Sequence, residues 1–267
     1  MSIRSVLRGA RLSAVTLATL TLGAVAHAQP QPVVSQPGAS DARPTVAVLY
    51  FTNGALVSNA DYAPLSKGMA EMLITELSRN PGIRVVERDR LQQLLAEQNL
   101  GSGDRVDKET AIRIGKILGA HHLLMGSFII DPKQNMRIDV RSVNTETSQI
   151  EYVEAIDGKA DRMIAMVGEL GAKVNAGLKL PAIPIRLPGT SGGVNGTPAV
   201  ASHSAPSSKV DQLRAVMMMS NALEQQDRGN VQGAIALYKQ AIDADPGFER
   251  AKVLLASLES KDKRQTP

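Results

Sequence analysis

The chain has 267 residues, of which 43% are apolar and 21% charged, a composition that packs one or two domains and excludes disorder throughout. Cysteine is absent, which removes disulfides, thiol nucleophiles, thiolate metal sites and a lipid-modified cysteine; at 3% aromatics and no Trp, base-stacking platforms and aromatic-girdled membrane barrels are disfavoured too. Three units of the +4 net charge come from Arg4, Arg8 and Arg11, so the remainder is nearly neutral and offers no basic surface for nucleic acid.

Those arginines precede an apolar run from Leu12 to Ala26 and the small-x-small triplet Ala26-His27-Ala28, the layout of a secretory signal peptide over residues 1–28, cleaved after Ala28. At 1.5 Å per residue the run reaches roughly 22 Å, short of the ~30 Å hydrocarbon core. No other stretch is long and apolar enough for a transmembrane helix, so the mature chain is expected to be exported. Residues 29–44 hold Pro30, Pro32, Pro37, Gly38 and Pro44 and read as a flexible leader.

The segment 45–180 opens with Thr45–Phe51, a β-rich run suited to a buried strand. Leu65, Met69, Met72, Leu73 and Leu77 then form a helical stripe, ended by Asn80-Pro81-Gly82. A short strand at 83–86 leads to a helix carrying Leu91, Leu94 and Leu95, for which Asp89 is the expected cap. Past Gly101 and Gly103, a helix over 108–118 places Ile114, Ile117 and Leu118 inward, with Gly119 beyond its end. Strands at 123–130, 136–143 and 149–156, joined by tight turns, are antiparallel neighbours. Arg137, Asp139 and Arg141 alternate onto one solvated face of the second. A closing helix carries Ile164, Val167, Leu170, Val174 and Leu178. The order β-α-β-α-α-β-β-β-α makes this an α+β domain, a mixed sheet with helices packed against it.

Half of residues 181–208 are Pro, Gly or Ser, which reads as a linker spanning about 30 Å as a loose coil. The stretch 209–260 is a small all-helical unit, with helices over 210–226, 231–244 and 248–259, and 261–267 is a solvated tail.

Several blocks in 45–160 occur in the order found in the CsgG family of bacterial envelope proteins: Val46–Phe51, Val85-Val86-Glu87-Arg88, the run LQQLLAEQNL from Leu91, and Ala111–Ala120 leading through Gly126-Ser127 to Phe128. This resemblance implies a core like the amino-terminal domain of TolB. It also implies a role in curli production and secretion at the outer membrane, with ring assembly in the channel members. The chain departs from those members in having no cysteine after the signal. Only about 30 residues separate Ile130 from the closing helix, and two sheet strands use most of them, where membrane hairpins need roughly 9–11 residues per strand. The tail resembles a tetratricopeptide repeat, with Gly229, Ala234, Tyr238, Ala241 and Pro246 at its small, aromatic, small and proline positions. One repeat plus a helix falls short of the three or so that stand alone, so it needs a neighbouring surface.

Other signals carry less. His121-His122 would point to opposite faces of a strand and cannot chelate one ion together; they read as sheet-edge histidines, and no metal is expected. Gly189-Thr190-Ser191-Gly192-Gly193 sits in the linker, where no oxyanion hole is preorganised. Leu100-Gly101-Ser102-Gly103 lacks the lysine of a phosphate loop, and Asn195-Gly196-Thr197 is a chance sequon. Of Met217-Met218-Met219, two are expected in a helix core. Glu87-Arg88, at a strand-to-helix corner, is either an ion pair or cap fixing that corner, or a contact between subunits.

These features together describe a non-catalytic, cofactor-free component of the periplasm or outer membrane. It acts through protein contacts, with envelope proteins, secretion or fibre-assembly components, or a second copy as partners, and a tethered repeat for partner binding. A curli-type channel subunit is the alternative, and an exported hydrolase a remote one, since no nucleophile, base and oxyanion donors converge.

Overall fold

The computed structural model describes residues 43–56, 58–98, 107–181 and 209–265. Ala26 and Ala28, residues 29–42 of the 29–44 leader, Gly101 and Gly103, and residues 182–208 with the Gly189–Gly193 motif and the sequon lie outside them.

One mixed sheet organises the chain. It holds β1 (Thr45–Val48), β2 (Thr52–Asn53), β3 (Arg84–Val85), β4 (His122–Ile130), β5 (Asn135–Asn144) and β6 (Ile150–Lys159). The strand order is β3-β1-β4-β5-β6, with β2 beside β4. β1 is parallel to β3 and β4, whereas β4, β5 and β6 form an antiparallel meander. The α+β reading therefore stands, with two differences. The expected strand 45–51 ends at Val48, and its continuation makes a separate parallel bridge to β4 at Thr52↔Ser127.

Strand alternation sorts the apolar residues onto two faces. After the single turn α1 (Asn59–Tyr62) comes α2 (Leu65–Ser78); Val46, Val48, Leu124, Phe128, Ile138 and Val140 face a cluster shared with α2 and α5 (Met163–Gly177). Ala47, Leu49 and Leu123 face α3 (Arg88–Glu97) and α4 (Lys108–Ile117), supplied with Leu91, Leu94, Leu95, Ala111 and Ile114. Beyond α3 and α4 the second face carries the rows Ile129/Arg137/Asp157, Ser127/Asp139/Ala155 and Met125/Arg141/Val153. Arg137 and Arg141 are exposed there, as the alternation implied, and so is Val153. Among the described residues β6 is paired on one edge alone.

Two local expectations change. The α3 N-cap position is Glu87, whose side chain makes no capping bond, rather than Asp89; the helix begins two residues earlier, and Asp89 stands in its first turn. Ile117 is 51% exposed, because Ile114 and Leu118, four apart, already occupy the inward face of α4. Asp107 caps that helix by accepting from the Thr110 backbone N–H at 2.9 Å, and Gly119 takes φ 66° at its end, a conformation open to glycine at little cost.

The C-terminal helices are α6 (Lys209–Asp227), α7 (Val231–Ala244) and α8 (Glu249–Gln265). α8 runs on through Lys261–Arg264, the stretch expected as a solvated tail. Ala215, Val216, Met219, Ala222 and Leu223 of α6 join the same apolar cluster as α2 and α5, so the helices and the sheet share one core. α6 crosses α2 closely at Gly68, where a Cβ would clash with Ser220 Oγ. Met219 is fully buried, with Met217 and Met218 half-buried beside it. No helix among the described residues is long and apolar enough to cross a membrane.

Candidate functional site

The densest chemistry lies where α2 and α3 meet the C-terminal helices. α2 buries its apolar stripe on the sheet and turns Lys67 and Glu71, one helical turn apart, toward α6 and α8. The strand-to-helix corner puts Arg88 at the first position of α3, aimed at the same place, and α6 brings Asp227 on its last turn.

Asp227 accepts from Lys67 Nζ through Oδ2 and from Arg88 Nη1 through Oδ1, both at 2.7 Å. Glu71 Oε2 lies 3.6 Å from Arg88 Nε, and its Oε1 accepts from Arg250 of α8. The charges thus alternate in a chain, Lys67–Asp227–Arg88–Glu71–Arg250. The side chains of Lys67, Glu71, Arg88 and Asp227 are all at most 7% exposed. At the rim, Asp89 accepts from Arg88 at 2.9 Å and from Lys261 at 3.1 Å. Lys67 Nζ also stands 5.7 Å from the centroid of the Tyr50 ring, a cation–π contact.

Burial by itself would lower the Arg88 pKa, but Asp227, reinforced by Tyr50 and Asp89, overrides it and holds the guanidinium above its ordinary value. Burial raises the Tyr50 and Tyr238 hydroxyls well above theirs, Arg88 opposing in both cases. Tyr50 donates to Gln92 at 2.7 Å and Tyr238 to Gln226 at 3.1 Å, so both phenols stay protonated donors.

Both oxygens of Asp227 and both of Glu71 face cations. That arrangement fixes two chain segments to each other; it leaves these carboxylates no free oxygen with which to take a proton from a substrate. Beside the cluster a cleft of about 630 Å³ opens between α3 and α8, walled by Glu87, Arg90, Gln93, Val253, Ser257 and Lys261.

The Glu87–Arg88 ion pair offered as one reading of the corner is not what the structure shows. Adjacent residues at a helix start diverge: Arg88 turns inward to Asp227 and Glu71, while Glu87 is exposed. Gly229 adopts φ 78° between α6 and α7; Ala234, Tyr238 and Ala241 are fully buried on α7, and Pro246 follows its end. His121 and His122 stand at the start of β4, a central strand rather than an edge. Their Nδ1 atoms serve different neighbours, the Thr45 N–H at 3.1 Å and Glu151 at 2.6 Å. Sequence reasoning passed over Lys67, Glu71, Asp227 and Arg250. The available signal was the Lys67-Gly68 and Glu71 positions on the polar side of the α2 stripe, a small residue set between charges.

Residues 27–131 match the model of the family described as "Curli production assembly/transport component CsgG". No curated protein matches the chain. Solved structures similar to it include the LpoB C-terminal domain from Salmonella enterica, 18% identical over 43% of this chain and 82% of that one, with a TM-score of 0.35. E. coli LpoB is 16% identical over 55% and 82%, with a TM-score of 0.37. A PelC dodecamer from Paraburkholderia phytofirmans is 12% identical over 51% and 89%, at 0.32.

Proposed function

We propose that the chain is an exported, non-catalytic component of envelope assembly or secretion, working in the periplasm or against the outer membrane through protein contacts. The family match over residues 27–131 carries this reading. In it, residues 1–28 direct export and are removed after Ala28, residues 45–180 form the family domain, and the repeat-like helices of 209–260 take a partner. The open edge of β6 and the exposed Val153 beside Arg141 supply a surface on which an envelope protein or a second copy can pair.

The test is a photo-crosslinking amino acid at Val153 in the full chain, activated in intact cells, with adducts identified by mass spectrometry. Covalent products with envelope proteins or with a second copy are expected. Recovery of the chain from the cytoplasm alone, or the absence of any adduct, overturns the reading.

A further inference from the structure

The backbone of β6 fixes how another strand would add to it. The Asp131 N–H donates to the Asn135 carbonyl and the Ala160 N–H to that of Gln134, both at 3.0 Å. Along β5 the odd-numbered residues therefore turn their main-chain groups to β4 and the even-numbered ones to β6. Past the irregularity at Ser142/Val143, it follows that Val153, Ala155 and Asp157 of β6 hold N–H and C=O groups facing away from the sheet. Among the described residues no strand pairs them, and the Ala155 N–H takes the Glu154 carboxylate instead, at 3.2 Å. Tyr152, Glu154 and Gly158, on the side that carries α5, stay half-buried, so the helix leaves the edge open. On the opposite side the charges are unevenly served. Arg137 has Asp139 at 2.8 Å and Asp157 at 3.3 Å, whereas Arg141 meets no acid among the described residues. Asp157 is 70% exposed, and Val153, paired with Arg141, 65%.

We infer that this edge takes the β6 of a second copy, antiparallel, with Ala155 opposite Ala155 on a two-fold axis. Val153 then stands opposite Asp157 of the second copy. The row Met125/Arg141/Val153 gains the carboxylate that Arg141 lacks, and the symmetry makes the contact twice. The two Cα atoms are about 10 Å apart, a gap that an arginine and an aspartate close over the short Val153 side chain. Glu154 gives up the Ala155 N–H and keeps Tyr152 at 2.9 Å and Lys173 at 3.5 Å. Because outward-facing residues alone can exchange main-chain bonds, the nearest other registers differ by one residue in each copy. One sets Glu154 directly against Glu154, and the other brings Lys159 into the row of Arg141. Like charges placed so are destabilising, so charge selects both the occupant and its register. The inference rests on the reading of β6 as a pairing surface and narrows its partner to a second copy.

The chain has no cysteine, so Ala155→Cys places a unique thiol at the axis, where opposed Cα atoms lie about 5.5 Å apart, within disulfide range. Oxidation of the purified full chain with copper phenanthroline is expected to give a covalent dimer. Adding Asp157→Arg, or Arg141→Asp, is expected to reduce the yield at least fivefold. Mixing those two variants should restore it, because in the mixed pair each cation again meets an anion, a rescue that unfolded chains would not show. No dimer from Ala155→Cys, a yield that the charge changes leave alone, or a mixture no better than its components overturns the inference. Adducts at Val153 with envelope proteins, in a chain whose Ala155→Cys form stays monomeric, overturn the second copy and leave the envelope role standing. A charge-dependent dimer from a chain found in the cytoplasm alone upholds the second copy and overturns the envelope role.

Discussion

Arg88 reaches Asp227 at 2.7 Å across 139 residues of sequence, and Asp227 gives its second oxygen to Lys67 at the same distance. The two ends of the pair are not equivalent. Without Arg88, Asp227 keeps Lys67 and Glu71 keeps Arg250; without Asp227, both 2.7 Å bonds go, leaving Lys67 with Glu224 at 3.9 Å and Arg88 with Glu71 and Asp89. Arg88→Ala is therefore expected to cost about 1.5–3 kcal/mol, the range for hydrogen bonds to charged groups. Asp227→Ala removes two such bonds at once and should cost more, about 3–5 kcal/mol. Urea unfolding followed by circular dichroism gives the order; an equal or larger loss for Arg88→Ala contradicts this account of the cluster.

Glycine at 68 is set by its neighbour. A Cβ there would meet Ser220 Oγ at 1.9 Å and Ser220 Cβ at 3.0 Å, so Gly68→Ala overpacks the α2–α6 crossing. The expected cost is about 1–3 kcal/mol. Part of it should return when Ser220→Gly is added, a coupling that a double-mutant cycle measures directly. Gly168 in α5 is the control, with nothing within 4 Å of its would-be Cβ. Gly168→Ala should stabilise the protein by about 0.5–1 kcal/mol, the helix-propensity difference alone. A crossing that tolerates Gly68→Ala as readily as Gly168→Ala would contradict the close approach.

Tyr152 on β6 provides a pH readout away from the charge cluster. Its hydroxyl donates to Glu154 at 2.9 Å and to the Lys173 carbonyl at 3.0 Å. Burial, reinforced by Glu154, pushes its pKa up from 10.0 to about 12. A raised folded-state value favours the protonated phenol in the native protein. The stabilisation is therefore fully present below the unfolded value of 10.0 and disappears as pH rises toward about 12. Ultraviolet titration of the full chain against Tyr152→Phe should assign this late ionisation to Tyr152, and Glu154→Gln should bring it to lower pH. Ionisation of Tyr152 at the ordinary value would show that the bond to Glu154 does not persist in solution.

The meander was legible because Met136-Arg137-Ile138-Asp139-Val140-Arg141 alternates over a full strand and Asp131-Pro132 marks the turn before it, local signals that need no knowledge of the partner strand. β2 was not, since Thr52-Asn53 is two residues long and owes its pairing to the backbone of β4. The same division holds at the candidate site. Arg88 drew attention through a motif, but Asp227 lies 160 positions from Lys67 and 139 from Arg88, on a polar helix end that reads as a solvated face. Periodicity records which side of a helix is apolar. It does not record that a polar side is covered by another helix carrying opposite charge, and that omission is what hid the cluster.

The turn from α6 to α7 carries Asp227 into place, and its two central residues do different work. Gly229 takes φ 78°, where a side chain costs about 1 kcal/mol, and nothing lies within 4 Å of its would-be Cβ, so the cost of Gly229→Ala is conformational only. Asn230 caps α7 by accepting from the Gly233 N–H at 3.0 Å, and its amide donates to Gln225 at 2.8 Å, tying the cap back to α6. Asn230→Ala should cost about 1 kcal/mol through the lost cap. Asn230→Asp keeps the accepting oxygen but loses the donor to Gln225, and should recover most of that loss and not all of it. Hydrogen exchange at Gly233 and Ala234 in the three variants separates the two contributions. Equal protection in Asn230→Ala and the unaltered chain would mean that α7 is held by the burial of Ala234, Tyr238 and Ala241 alone, with no contribution from the turn.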